Sequence, residues 1–137
     1  MKVKRTLKMI VGCLLITNLC WAGITQEGDT LPPGVVIHNA PAISHEYIGS
    51  PSIVIMPDGT YIASHDYFGK KLSDTYIYRS GDRGNSWTPI AKLESLTWAT
   101  LFNRGKELYL IGISPKVTMG YGDFVVRRSL DFGRSWT

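Results

Sequence analysis

Cysteine is nearly missing from this 137-residue chain: Cys13 and Cys20 are its only two, and both lie in the first 22 residues. That stretch reads as a secretory leader, residues 1–22. Lys2, Lys4, Arg5 and Lys8 give a basic start, an apolar run over 9–19 follows, and Cys20-Trp21-Ala22 sets small residues at the −3 and −1 positions for cleavage after Ala22. The apolar run is too short to span a bilayer comfortably. Residues 23–137 therefore offer no disulfide, no thiolate chemistry and no four-cysteine metal pattern. Neither a metal nor any other cofactor is expected. Secretion or release into the periplasm is expected, with no membrane span after cleavage. Ile10-Val11-Gly12-Cys13 resembles a lipoprotein box, but too little apolar sequence precedes it, so lipid anchoring is not the expectation.

Excess charge is the second absence. The four basic residues of the leader account for the whole excess of 15 Lys and Arg over 11 Asp and Glu. A mature chain of balanced charge gives no electrostatic reason to bind nucleic acid or an anionic membrane.

What the chain does have is an internal repeat. Ser80-Gly81-Asp82-Arg83-Gly84-Asn85-Ser86-Trp87 and Ser129-Leu130-Asp131-Phe132-Gly133-Arg134-Ser135-Trp136 share the pattern Ser-x-Asp-x-Gly-x-Ser-Trp, and the second starts 49 residues after the first. A period of that size marks stacked supersecondary units, with propeller blades of roughly 40–50 residues a leading case. Each copy follows a short β-type run and leaves through Trp, which reads as a hairpin. Asp bonds backbone N–H groups ahead of it, Gly supplies a positive φ, and Trp packs on the neighbouring unit. The residues Ser80, Asp82, Gly84 and Trp87, and Ser129, Asp131, Gly133 and Trp136, are thus assigned folding roles rather than catalytic ones.

The repeated phrase resembles the Asp box, or bacterial neuraminidase repeat, of the sialidase superfamily, whose fold is a six-bladed β-propeller. The resemblance covers about residues 47–137. It implies an all-β chain holding about two four-stranded blades: a lead-in over 23–46, a first blade over 47–93 and a second over 94–137, cut short at its end. Strands are expected at 52–56, 60–64, 74–79 and 87–93, then at 99–102, 107–113 and 124–128. Tyr61 and Tyr109 are expected to match across the repeat. Since a propeller closes only with about four blades or more, the chain reads as the amino-terminal third of a protein of roughly 350 residues, inactive and poorly stable by itself.

In a four-stranded meander, the Asp-box turns share one end with the tight turn between strands one and two. The longer segments, 45–49, 65–73, 94–98 and 114–123, share the other, where binding groups collect on a rigid scaffold. Carboxylates and aromatic residues there suit glycan chemistry, in which an acid protonates the leaving oxygen and aromatic faces stack on sugar rings. Carbohydrate is the expected partner, and the oligomeric state stays open.

The family resemblance implies that the acid/base Asp lies about 25 residues after a first-strand arginine, which points to Asp74, with Asp66 the alternative. His65, Tyr67, Lys70 and Trp98 are the candidate substrate-binding residues. The chain departs from the family where that arginine should stand: Gly49-Ser50-Pro51 keeps the proline and puts glycine in place of arginine. The loop with the family's second arginine has only Lys70 and Lys71, which carry charge without the guanidinium fork. Two functions follow as expectations. One is a piece of an exported, exo-acting, sialidase-like glycoside hydrolase whose nucleophile pair lies outside this chain. The other is a non-catalytic propeller that binds glycan or protein through the same loops.

Overall fold

The structure is a computed structural model, and it describes residues 33–69, 74–115 and 122–137. The expected leader, Lys70, Lys71 and the middle of the 114–123 loop lie outside the described residues. Among the described residues, the regular structure apart from one 3-10 turn, Ala42–Ser44, is all β. The first sheet is an antiparallel meander of β1 (Glu46–Ile55), β2 (Tyr61–Gly69), β3 (Thr75–Ser80) and β4 (Thr88–Leu93), hydrogen-bonded in chain order. The second runs β5 (Thr97–Arg104), β6 (Glu107–Pro115) and β7 (Gly122–Ser129), again in chain order. Thr137 exchanges both backbone hydrogen bonds with Arg128 at 2.9 Å, which is the rung that Thr88 makes with Arg79 in the first sheet. Each sheet is a blade, and the two stack face to face as neighbours in a propeller.

The tight turns follow from local chemistry. At Pro57-Asp58-Gly59 the Asp58 carboxylate accepts from the Thr60 N–H at 2.9 Å, and Gly59 takes φ 85°. The two repeated phrases form matching turns. In the first, Ser80 Oγ donates to Asp82 at 2.7 Å and accepts from Gly84 N–H at 2.8 Å, while Asp82 accepts from Ser86 N–H at 2.9 Å. In the second, the same bonds join Ser129, Asp131, Gly133 and Ser135 at 2.8, 2.8 and 2.9 Å. Trp87 and Trp136 each donate the indole N–H to the turn glycine's carbonyl, at 3.0 and 2.9 Å. Both carboxylates are drawn down to about 2, first by the hydroxyl of Ser86 or Ser135.

Three sequence expectations need correction. The first strand begins at Glu46 rather than 52. Gly49 and Pro51 look like breakers, but a bulge between Gly49 and Ser52, with Ser50 at φ 47°, absorbs them without ending the pairing. The second strand runs through to Gly69, so His65, Asp66 and Tyr67 are strand residues, not loop residues. Finally, Tyr61 does not match Tyr109. Tyr61 pairs with Ser80 whereas Leu108 pairs with Ser129, so Leu108 is its counterpart and Tyr109 answers to Ile62.

That register explains the stacking. On β2, Ile62, Ser64 and Asp66 face the second sheet, while Ala63, His65 and Tyr67 face away, because alternate strand residues point to opposite sides. The core between the sheets holds Met56, Ile62, Ile77, Leu96, Ala99, Leu101, Leu108 and Leu110. Burying each large side chain there stabilises the fold by roughly 1.5–3 kcal/mol. Polar bonds fix the offset of the sheets: Leu101 N–H donates to Ser52 Oγ at 3.0 Å, and Thr75 Oγ1 to the Leu96 carbonyl at 2.8 Å.

Candidate functional site

The end of the blades opposite the Asp turns is built from the starts of β1, β3, β5 and β7 and the ends of β2, β4 and β6. Asp74 stands just before β3. Its carboxylate pairs with Lys92 Nζ at 2.8 Å and accepts from the Ser95 N–H at 2.9 Å. Lys92 also lies 3.8 Å from Glu94. The Asp74 hydrogen bond raises the Lys92 ammonium above its ordinary value. Asp74 thus stitches the outer strands β3 and β4 to the turn that leads into β5.

Asp66 is placed quite differently. It sits on β2 opposite Gly49, only 2 % exposed, with its side chain toward the second sheet. One carboxylate oxygen accepts from the Thr97 hydroxyl at 2.7 Å and also from the Trp98 backbone N–H. Trp98 takes φ 53° at a bulge in β5, and it is among the most exposed apolar groups of the described residues, being 67 % accessible.

Asp66, the alternative acid/base candidate, and the candidate substrate-binding residues His65 and Tyr67 are all expected at this end, and the strand sends them to opposite sides. His65 and Tyr67 point to the outward side of the first sheet, into an aromatic cluster with His38, Tyr76 and Tyr78. The His65 ring stacks on Tyr76 at 5.4 Å, on Tyr78 at 5.5 Å and on His38 at 5.1 Å. Its Nδ1 lies 3.2 Å from the Asp66 carbonyl, which can only accept, so the proton sits on Nδ1 and Nε2 accepts from the Tyr78 hydroxyl at 3.0 Å. Burial lowers the His65 ring below its usual value and pushes the Tyr78 phenol up to about 12. Burial likewise raises Tyr67, whose hydroxyl bonds His38 Nε2. A cavity of about 360 Å³ lies beside this cluster, walled by Val36, Ile48, Ile53 and Ala63 among others. Lys70 lies outside the described residues.

Tyr47, an aromatic of the expected ligand face, and Phe68, not singled out from the sequence, complete the end. Tyr47 and Phe68 are cross-strand partners on the same side of the sheet as Asp66, with rings stacked at 5.5 Å and 28°, and both are more than half exposed. The signal for their pairing was available: two aromatics in register across two strands. It was hidden because both positions were read as loop. Phe68 also explains Gly49. A Cβ added there would come within 2.8 Å of the Phe68 ring and 3.2 Å of an Asp66 oxygen. Phe68 therefore lies over the position where the resemblance would set an arginine.

The end of the blades therefore carries exposed aromatic faces around a buried carboxylate, together with a second carboxylate held in an ion pair. Among the described residues no helix is long and apolar enough to cross a membrane. No family model matches the sequence, and no curated protein sequence matches it. Among solved structures, an α-L-arabinanase from Penicillium chrysogenum, determined with arabinobiose, is similar over 64 % of this chain at 22 % identity and a TM-score of 0.55. The match spans 30 % of the arabinanase chain. That enzyme is a β-propeller, and the likeness establishes the same kind of fold here: an all-β chain of propeller blades.

Proposed function

We propose that this chain is part of an exported propeller that acts on or binds glycans through the end bearing Tyr47, Phe68 and Trp98. The observation that carries the reading is the set of exposed aromatic rings gathered beside Asp66 at that end. Aromatic faces recognise the C–H faces of sugar rings, and carboxylates take their hydroxyls. The structural likeness to an arabinanase supports a glycosidase-type scaffold. The repeated Asp boxes support the finer reading of a sialidase-superfamily member, and the amino-terminal basic and apolar segments support export.

Within that family, glycine at position 49 argues against sialic acid as the sugar, because it brings no guanidinium to clamp the sugar's carboxylate. A neutral glycan is the proposed ligand. Asp74 is the proposed acid/base residue of a complete propeller, with the nucleophile supplied by other blades. A purely binding propeller is the second reading, favoured by the engagement of Asp66 and Asp74 in structural bonds.

The test is a glycan array probed with the full chain, followed by hydrolysis assays on a form with a closed ring of blades. Retention of neutral glycans without preference for sialylated ones is expected. Loss of turnover in a folded D74N variant supports hydrolysis, unchanged turnover removes Asp74 from the chemistry, and selective capture of sialylated glycans overturns the neutral-ligand reading.

A further inference from the structure

The first strands of the two sheets carry the same irregularity at the same point. In β1 the register shifts between Gly49 and Ser52, with Ser50 left-handed at φ 47°. In β5 it shifts between Thr97 and Thr100, with Trp98 left-handed at φ 53°. A bulge leaves a residue out of the ladder and re-aims its side chain. Bulky residues rarely take a positive φ, and they hold it only where the surroundings over-determine it. At Trp98 the surroundings are visible. The backbone N–H that the bulge removes from the ladder is taken by a carboxylate oxygen of Asp66, which also accepts the Thr97 hydroxyl. Asp66 is almost fully buried, whereas the Trp98 residue it anchors is two-thirds exposed.

We infer that Asp66 is a positioning residue: through Thr97 and the Trp98 backbone it locks the Trp98 indole outward as a stacking platform for a neutral saccharide ring. The inference rests on the glycan reading above and assigns that site its central contact. It also reassigns Asp66, since a carboxylate this buried and doubly bonded acts through Trp98 rather than on substrate. The single oxygen that receives both donors has two lone pairs, so an asparagine carbonyl in its place accepts the same two bonds. Alanine accepts neither.

The test uses the full chain, with arabinobiose, lactose and sialyllactose as probes, followed by tryptophan fluorescence and calorimetry. Acrylamide quenching, with W98F subtracted, reports the exposure of the Trp98 indole. Binding of a neutral disaccharide is expected, weakened about tenfold or more in W98A. D66A should show a similar loss together with altered quenching, T97V about threefold weaker binding, and D66N should restore both signals. If D66A does not fold, T97V against D66N still decides. Neutral-sugar binding that survives W98A overturns the platform while leaving glycan binding in place. Binding and quenching unchanged in T97V and D66A, or lost equally in D66N, overturn the clamp. A wild-type chain that binds none of the three probes overturns the platform together with the reading beneath it, while altered quenching in T97V and D66A would still establish the clamp.

Discussion

Asp82 and Asp131 are the two carboxylates whose protonation the fold resists most visibly. Each accepts a hydroxyl and a backbone N–H from the serine four residues on, and each is lowered to about 2 from 3.8. A depressed carboxylate contributes stability that is whole above its unfolded value and lost as pH falls through the folded one. Denaturant midpoints should therefore hold steady from pH 7 to about 5 and drop between about 4 and 2. D82N should be less stable than wild type near neutral pH and show a shallower drop on acidification, read by urea melts at pH 6 and pH 3. An unchanged acid slope in D82N would show that the turn carboxylate contributes nothing to acid sensitivity. These turn residues were legible from sequence because every bond they make is to a neighbour within four positions. Asp66 was not, since its partners lie 31 and 32 residues away and no local pattern announces them.

At the scale of the strand and turn, the two repeated turns differ in what their glycines touch. Gly84 takes φ 90°, and a Cβ there would make ordinary van der Waals contact with Tyr61 at 3.6 Å and Trp87 at 3.7 Å. Gly133 takes φ 88°, but a Cβ there meets Ile77, Ile90 and Leu108, each at 3.3 Å, because this turn is pressed into the core between the blades. Both G84A and G133A carry the left-handed penalty of about 1 kcal/mol. G133A adds overpacking of about 1–3 kcal/mol, so equilibrium unfolding should rank G133A well below G84A. Equal losses would mean that the packing around Gly133 yields freely. The strands themselves show how far pattern reading reaches. β3, β4 and β6 fell where their β-branched and aromatic runs place them. β1 and β2 ran longer, because Gly49-Ser50-Pro51 sits in a bulge and the polar His65-Asp66 pair is satisfied by Tyr78, Thr97 and Trp98 rather than by water.

For the whole molecule, the register of the repeat says what each blade surface is for. Leu101, Leu108 and Leu110 of the second blade bury themselves against the first, and their counterparts Ile53, Tyr61 and Ala63 line the first blade's outward side. Ile53 and Ile55 there are more than half exposed, as are Phe124 and Val126 on the far side of the second blade. Apolar sides of this kind associate, and head-to-tail pairing of two unlike sides propagates rather than stopping at a dimer. Light scattering on the purified chain should show a mass that rises with concentration, and I53K with F124K should return it to the monomer without loss of folding. A monomer at all concentrations in the unaltered chain would show that these sides need no partner.

By itself the sequence determined what depends on near neighbours: the Ser-x-Asp-x-Gly-x-Ser-Trp turns, their blade period and the all-β class. Only the tertiary structure decided which of the candidate binding groups meet. It sent Asp66 to one side of β2 and His65 with Tyr67 to the other, tied Asp74 to Lys92, and filled the space over Gly49 with Phe68. The reason is the two-residue period of a strand joined to its register. Shifting the start of pairing by one position moves every side chain to the opposite face, and that choice is made by contacts between strands distant in sequence.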